Sequence, residues 1–289
     1  MKKIMMAMLG LVLLLSLFSG CSKTDSGFDT SRSINVVSRE DGSGTRGAFI
    51  ELFGILVKGD DGTITDFTTK EAVVTNKTDV MLTNIESDKY AVGYVSMGSL
   101  NDKVKALPID GVEANEANVK NGTYKVSRPF NIVTKGETVG LAKDFIDFIL
   151  SREGQAIVAG SYISIDDNAA AYEGDRSGGK ITVAGSSSVT PIMEKLKEAY
   201  IAINPNAAIE IQMSDSTSGV TGVTDGTCDI GMASRELKDS EKAELTATQI
   251  ALDGIALIVN QNNPDPGFTM DEVNKIYTGE AIKWCDVME

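Results

Sequence analysis

The chain has 289 residues, of which 42% are hydrophobic and 24% charged. This composition is that of a globular protein with one or two domains, and it excludes disordered, collagen-like and polytopic membrane chains. The sequence has no His, which excludes Ser-His-Asp and Cys-His relays and His-based zinc or iron sites. The net charge of −14 argues against a nucleic-acid partner, because phosphate backbones require a basic surface. No metal or other cofactor is implied.

The N-terminus has the pattern of an export signal. Two lysines precede an uncharged stretch over residues 4–18, and a Ser-Gly pair and Cys21 follow. This order predicts a signal peptide at residues 1–20; the alternative, a membrane-spanning anchor, would need about 20 apolar residues. The five residues ending at Cys21 resemble a bacterial lipobox, which implies that Cys21 is lipidated. Residues 21–33 are then expected to be a lipidated tether on the outer face of the cell membrane.

The first part of the folded chain alternates strands and helices. Residues 34–37 form a short apolar run, residues 40–45 a Gly/Ser loop, and residues 46–53 have helical spacing of apolar side chains. This order predicts a strand, a loop and a helix. Further helices are expected at 78–87 and 141–150, and a strand at 91–95. Such alternation is typical of α/β folds.

A linker separates this part from a second block with the same order. Residues 165–180 carry few large apolar groups and end in Ser-Gly-Gly-Lys, a linker composition. A strand is then predicted at 181–184, a loop at 185–188, and a helix at 191–200 with Pro in its first turn, where a missing N–H costs nothing. Strands at 209–213, 229–233 and 250–260 and a helix at 272–277 complete the block. The repetition predicts two lobes.

Three Ser/Gly loops, at 41–45, 185–188 and 215–219, each precede a predicted helix. Their N–H groups and hydroxyls would meet where helix dipoles are positive, which favours a small oxyanion. None of the loops has the Lys of a nucleotide-binding P-loop. A single such loop would be an ordinary helix cap, but three together favour a ligand. Arg39 beside the first loop is expected to bind the anion while Asp41 orients it; the alternative for Arg39 is a surface ion pair.

Three segments, 38–46, 184–191 and 229–237, carry a family resemblance. With them the chain resembles the phosphate-binding lipoproteins of bacterial phosphate-specific ABC importers. The resemblance implies an α/β, two-lobe periplasmic-binding-protein-like fold of type II with a hinge of two crossovers. It also implies a non-enzymatic protein that captures inorganic phosphate and delivers it to a membrane permease. The phosphate ligands that it implies are Arg39, Ser43, Gly44, Thr45, Ser187, Ser188, Val189, Ser216 and Ser234.

The order of these segments is rotated relative to the family. The part from residue 34 resembles the family's second half and the part from residue 181 its first half, so the chain resembles a circular permutant; the alternative is a fragment of a tandem gene. The implied lobes are residues 34–107 plus 260–289 (lobe A) and residues 108–259 (lobe B), the latter containing the linker. Both new ends should then be neighbours in one lobe.

Other functions remain open. A binder of another small oxyanion, such as sulfate or molybdate, would use the same loops. A secreted Ser hydrolase would need a base to activate its serine, and no His is present. A surface sensor or adhesin could share the fold. Some relatives carry Asp where Ser234 stands, so rejection of sulfate is expected to be weaker here. Cys228 and Cys285 are interpreted as small, partly buried residues, with a disulfide between them left open.

Overall fold

The computed structural model describes residues 27–59 and 62–288. The predicted signal peptide and Cys21 lie outside these residues. Within them, no helix is both long enough and apolar enough to cross a membrane.

Helices and strands are interspersed along the chain. The first half contains β1 (Asn35–Arg39), α1 (Gly44–Leu52), β2 (Leu56–Lys58), β3 (Ile64–Asp66), β4 (Val73–Thr75), α2 (Thr78–Ser87), β5 (Ala91–Ser96), β6 (Val104–Leu107), α3 (Glu116–Lys120), β7 (Ser127–Lys135), α4 (Gly140–Leu150) and α5 (Arg152–Val158). The second half contains β8 (Gly179–Ser186), α6 (Thr190–Ile203), β9 (Ala207–Ser214), α7 (Ser216–Thr224), β10 (Ile230–Ala233), α8 (Asp239–Lys242), β11 (Leu245–Asn260) and α9 (Met270–Thr278). Every helix and strand expected from the sequence is present, with ends that differ by a few residues.

Two long strands join the halves of the sheet. β7 and β11 run antiparallel, and Arg128 is the register partner of Asp253. Beyond that pair β11 continues and binds β5 and β6, whereas the other edge of β7 binds β10. The main sheet has the order β4-β1-β5-β11-β7-β10-β8-β9. The chain thus passes between the lobes at the start of β7 and again within β11, which agrees with the expected hinge of two crossovers.

Each lobe has three parallel strands. In lobe A, β1 lies between β4 and β5 and runs parallel to both. In lobe B, β8 lies between β9 and β10 and is again parallel to both. Because parallel strands place their carboxyl ends at one edge of a sheet, the loops that follow them gather there, and such edges are where open α/β sheets bind ligands.

The lobes have separate hydrophobic cores on the two faces of the sheet. Along β11, Leu257 packs with one cluster of lobe A and Ile258 with the other, as strand alternation requires. Ile132 and Val133 of β7 divide in the same way between the two clusters of lobe B. Each lobe therefore buries both faces of its own part of the sheet.

The predicted lobe boundaries need correction. Val119 and Tyr124 were assigned to lobe B with residues 108–259, but both pack in a core of lobe A. Val259 also belongs to lobe A, because the second crossing lies inside β11 rather than at its end. The core of lobe A thus extends to Val126 and begins again at Ile255.

The predicted tether 21–33 is also too long. The Phe28 ring lies against Tyr90, with centroids 4.9 Å apart, and against Trp284, at 5.3 Å. Residues 27–33 therefore lie against lobe A, because the Phe28 ring packs on aromatic side chains of that lobe.

The linker at 165–180 contains no helix and no strand before β8 begins at Gly179. It nevertheless lies against lobe B, where the Tyr172 hydroxyl donates to Asp144 Oδ2 at 2.8 Å. Asn204 Nδ2 donates to the Ser177 carbonyl at 2.9 Å. The connection is thus fixed at both of these points.

Candidate functional site

Four helices begin at the junction of the lobes. In lobe A, α1 follows β1 and α2 follows β4; in lobe B, α6 follows β8 and α7 follows β9. The first-turn N–H groups of a helix have no partner within it, and they give its N-terminus a partial positive charge. The arrangement therefore concentrates hydrogen-bond donors and positive potential between the lobes.

Arg39, at the end of β1, places a positively charged side chain at this junction. It is 3% exposed, and its Nε and Nη2 each donate to Glu40, at 2.8 Å. Nη2 also donates to Ser187 Oγ of lobe B at 3.0 Å. The Thr78 hydroxyl at the start of α2 lies 3.2 Å from the same Ser187 Oγ. Arg39 and Thr78 of lobe A thus meet one serine of lobe B.

A second bridge joins α1 to the α6 loop. Thr45 Oγ1 and Ser188 Oγ are 2.8 Å apart, and both residues are buried. A backbone hydrogen bond adds to this contact, because the Thr217 N–H donates to the Gly42 carbonyl at 3.1 Å. The two lobes are therefore closed on each other at these loops.

Three serines of lobe B form a buried cluster beside Gly44. Ser186 Oγ donates to Ser234 Oγ at 2.9 Å, and the Ser234 N–H donates to Ser216 Oγ at 3.1 Å. A methyl group on Gly44 would lie 2.8 Å from Ser234 Oγ and closer still to Ser216 Oγ. Only glycine fits this place while the lobes are closed.

The buried Tyr94 hydroxyl makes hydrogen-bond contacts with the end of β1. It accepts from the Arg39 N–H at 3.1 Å and lies 3.0 Å from Ser38 Oγ. Burial raises the pKa of Tyr94, although these hydrogen bonds and the nearby arginines act in the opposite direction. Tyr94 is therefore a neutral support and adds no negative charge to the site.

The structure does not give Asp41 the orienting role predicted for it. Its side chain is 99% exposed and lies 3.4 Å from Arg46, not at Arg39. Glu40 holds the Arg39 guanidinium instead, because it reaches both Nε and Nη2. The bidentate pair fixes the plane of the guanidinium.

Two other predicted ligands are engaged within their own loops. Ser43 Oγ caps α1 by accepting from the Arg46 N–H at 3.3 Å. The Val189 N–H donates to the Ser186 carbonyl at 3.1 Å. The remaining predicted residues, Arg39, Gly44, Thr45, Ser187, Ser188, Ser216 and Ser234, come together at the junction.

Sequence reasoning missed Glu40, Thr78 and Ser186 as parts of this site. Glu40 and Ser186 lie inside loops that were already singled out. Thr78 begins a helix that was predicted, but β4 before it is only three residues long and was not recognised. Had β4 been predicted, the segment around Thr78 would have had the same order of strand, loop and helix as the other three loops.

Residues 27–59 and 62–288 contain no group of three or more Cys, Asp or Glu side chains placed to hold a metal ion. Cys228 is buried and Cys285 is exposed, and both are free thiols. The donors at the junction are instead hydroxyls, backbone N–H groups and one guanidinium, which suit an oxyanion.

Comparison with known proteins identifies the family. A model of the PBP superfamily domain matches residues 25–153 and 170–288. The phosphate-binding protein PstS 2 of Streptococcus agalactiae is 52% identical over 276 residues, which cover 94% of each chain. The chain belongs to the PstS family of phosphate-binding proteins. Relatives of this kind are substrate-binding proteins and not enzymes, in agreement with the expectation from the sequence.

A solved structure supports the fold. The crystal structure of a phosphate-binding protein of a phosphate ABC transporter from Streptococcus pneumoniae matches with a TM-score of 0.71 and 44% identity. The match covers 89% of this chain and all of that one. The predicted two-lobe binding-protein fold is thereby confirmed.

Some relatives match over a shorter length. The phosphate-binding protein PstS of Bacillus subtilis is 31% identical over 137 residues, which cover 46% of this chain and 42% of that protein. The similarity between these two chains thus extends over less than half of each.

Proposed function

We propose that this chain is an extracytoplasmic binding protein that captures inorganic phosphate between its lobes and delivers it to the permease of an ABC importer. The observation that carries the proposal is the meeting of four helix N-termini with the buried Arg39 at the lobe junction. Its relatives in Streptococcus are named for phosphate binding, and this arrangement supplies the donors that phosphate requires.

The physical basis is local. The net charge of −14 repels an anion, but charges on the surface are screened beyond about 10 Å. Each charge-assisted hydrogen bond contributes about 1.5 to 3 kcal/mol. Several such bonds, less the cost of desolvation and closure, give the roughly −8 kcal/mol of a micromolar Kd.

Calorimetry of the mature protein with phosphate, arsenate and sulfate tests the function. We expect phosphate to bind with micromolar or tighter affinity and arsenate to compete well. Sulfate should be disfavoured by about 1 to 3 kcal/mol, the cost of leaving a buried hydroxyl unpaired, because Ser234 offers no carboxylate to repel it. Heat release with sulfate or molybdate but not with phosphate would instead identify a binder of another oxyanion.

We also propose that the mature chain is lipid-anchored at Cys21. The positive start, the apolar stretch and the small residues before Cys21 support this. Residues 27–33 then connect the anchor to lobe A, on which they are docked.

The rotated order of the family segments leads to a further proposal, that the chain is a circular permutant. The first and last segments of the described residues are neighbours in lobe A: Ser33 and Lys283 form an antiparallel bridge, and the Ile34 N–H donates to the Ile282 carbonyl at 2.8 Å. A relative in the unrotated order would align over only one half of the chain, as the Bacillus subtilis protein does.

Rejoining the chain tests the permutation. A chain that starts at Lys180, runs to Glu289 and continues through a short Gly/Ser linker into residues 31–175 should fold and bind phosphate as tightly as the original. New ends in exposed loops are usually tolerated. A matched chain opened within β11, between Leu257 and Ile258, should fail to fold. Equal failure of both chains in thermal unfolding would contradict the proposal.

A further inference from the structure

A buried ion pair lies next to the site at the hinge. Arg128 of β7 is 2% exposed and Asp253 of β11 is fully buried. Arg128 Nε and Nη2 both approach Asp253 Oδ2, at 3.3 and 3.2 Å. The two residues are also register partners where the hinge strands cross. The pair therefore joins the two connections between the lobes.

The pair has one further contact in each lobe. Ser96 Oγ, at the end of β5 in lobe A, donates to Asp253 Oδ1 at 2.8 Å. Arg128 Nη1 donates to the carbonyl oxygen of Ser234 in lobe B at 3.1 Å. A continuous hydrogen-bonded path thus runs from lobe A through the hinge to a serine of the candidate site.

Stability alone does not account for such a pair. Removing two charges from water costs several kcal/mol per ion, and buried pairs can often be replaced by apolar residues without loss of stability. Burial raises the pKa of Asp253 to about 6, against the effect of Arg128 and Ser96, which lower it. The ion pair is therefore better explained by the groups that it holds in place, and one of these is the carbonyl of Ser234, a residue of the candidate site.

We propose that Arg128, fixed by Asp253, is a positioning residue that sets the direction of the Ser234 side chain at the phosphate site. The proposal rests on the proposed function. With its carbonyl held, Ser234 keeps its Oγ between Ser186 and Ser216 and facing Gly44. Arg128 itself need not touch the anion, because it acts through the backbone of Ser234.

A double-mutant cycle tests the proposal. Arg128→Lys keeps the positive charge, but an ammonium group lacks the planar set of N–H donors with which the guanidinium binds Asp253 and the Ser234 carbonyl together. Arg128→Lys should therefore weaken phosphate binding about tenfold. In the Ser234→Ala background, where no hydroxyl remains to be positioned, the same change should have less than about a twofold effect.

Two outcomes would overturn the proposal. One is an Arg128→Lys protein whose unfolding temperature falls while its phosphate Kd is unchanged, which is the result of a purely structural role. The other is an additive cycle. If Arg128→Lys does not give folded protein, Asp253→Asn, which is nearly the same size, replaces it in the same cycle with the same expectation.

A second readout separates this proposal from the proposed function. The amide signal of Ser234 in a nitrogen–proton NMR spectrum should shift in Arg128→Lys without any added anion. An unchanged Ser234 signal overturns the positioning role, whichever anion the protein binds. A shifted signal in a protein that does not bind phosphate would support the positioning role and refute the proposed function alone.

Discussion

Replacing Arg39 by Ala should weaken phosphate binding by about 2 to 4 kcal/mol. Arg39 is buried at the point where the four helices begin, and its charge is held in place by Glu40 and Ser187. Its removal takes away a charge-assisted donor and also leaves the Glu40 carboxylate uncompensated near the anion. Both effects have the same sign. Titration calorimetry of Arg39→Ala with phosphate measures the loss.

Arg46→Ala is the matched control, because Arg46 is also an arginine and lies only seven positions further along the chain, in the helix that follows β1. Its guanidinium contacts Asp66 and Asp41, away from Ser187. We expect a change of about 1 kcal/mol or less, because the partner carboxylates are open to solvent, Asp41 almost fully and Asp66 at 30%, and ion pairs that solvent reaches contribute little. If Arg46→Ala lost much affinity and Arg39→Ala lost none, Arg46 rather than Arg39 would be the residue that binds the anion.

The loops of the site could be predicted because each repeats one local pattern. A strand, a Ser/Gly turn and a helix place N–H groups at a helix N-terminus wherever they occur. Arg39, Thr45, Ser188 and Ser216 followed from that pattern and from the family resemblance. Their meeting across two lobes did not follow from the pattern, because it depends on the order of strands in the sheet.

The crossing strand β7 shows why part of the fold was missed. Its residues Arg128, Pro129 and Asn131 are polar or cannot donate to a ladder, and Pro within a run argues against a strand. In the structure Pro129 pairs with Leu252, and Arg128 is neutralised by Asp253 from the neighbouring strand. A partner more than a hundred residues away made the segment a strand. Because this strand was not predicted, the first lobe boundary was predicted too early in the chain, at residue 107, and the second too late, at residue 260.

The sequence predicted that Asp41 orients Arg39, but in the structure Glu40 does so. Both carboxylates lie within two residues of Arg39, and spacing alone does not choose between them. Arg46, in the first turn of α1, pairs with Asp41 on the outside of the loop. The Ser43 N–H donates to the Glu40 carbonyl at 3.0 Å and fixes the turn before α1. The choice was made by the geometry of the turn before α1.

Replacing Gly44 by Ala should prevent complete closure of the lobes. The added methyl group would overlap Ser216 Oγ and lie 2.8 Å from Ser234 Oγ, and these buried serines are held by hydrogen bonds. Overpacking of this kind costs about 1 to 3 kcal/mol, so phosphate affinity should fall about 5- to 150-fold. Stability should not fall, because Gly44 begins α1 and Ala favours helices more than Gly does.

Gly47→Ala supplies the control for this prediction. A methyl group on Gly47 would lie 3.7 Å from Arg235 Cδ, an ordinary contact, so closure and affinity should be retained. Small-angle X-ray scattering should show that phosphate reduces the radius of gyration of Gly47→Ala but not of Gly44→Ala. If Gly44→Ala bound phosphate as tightly as Gly47→Ala and contracted equally, the closed contact between Gly44 and the serines of lobe B would not be needed for binding.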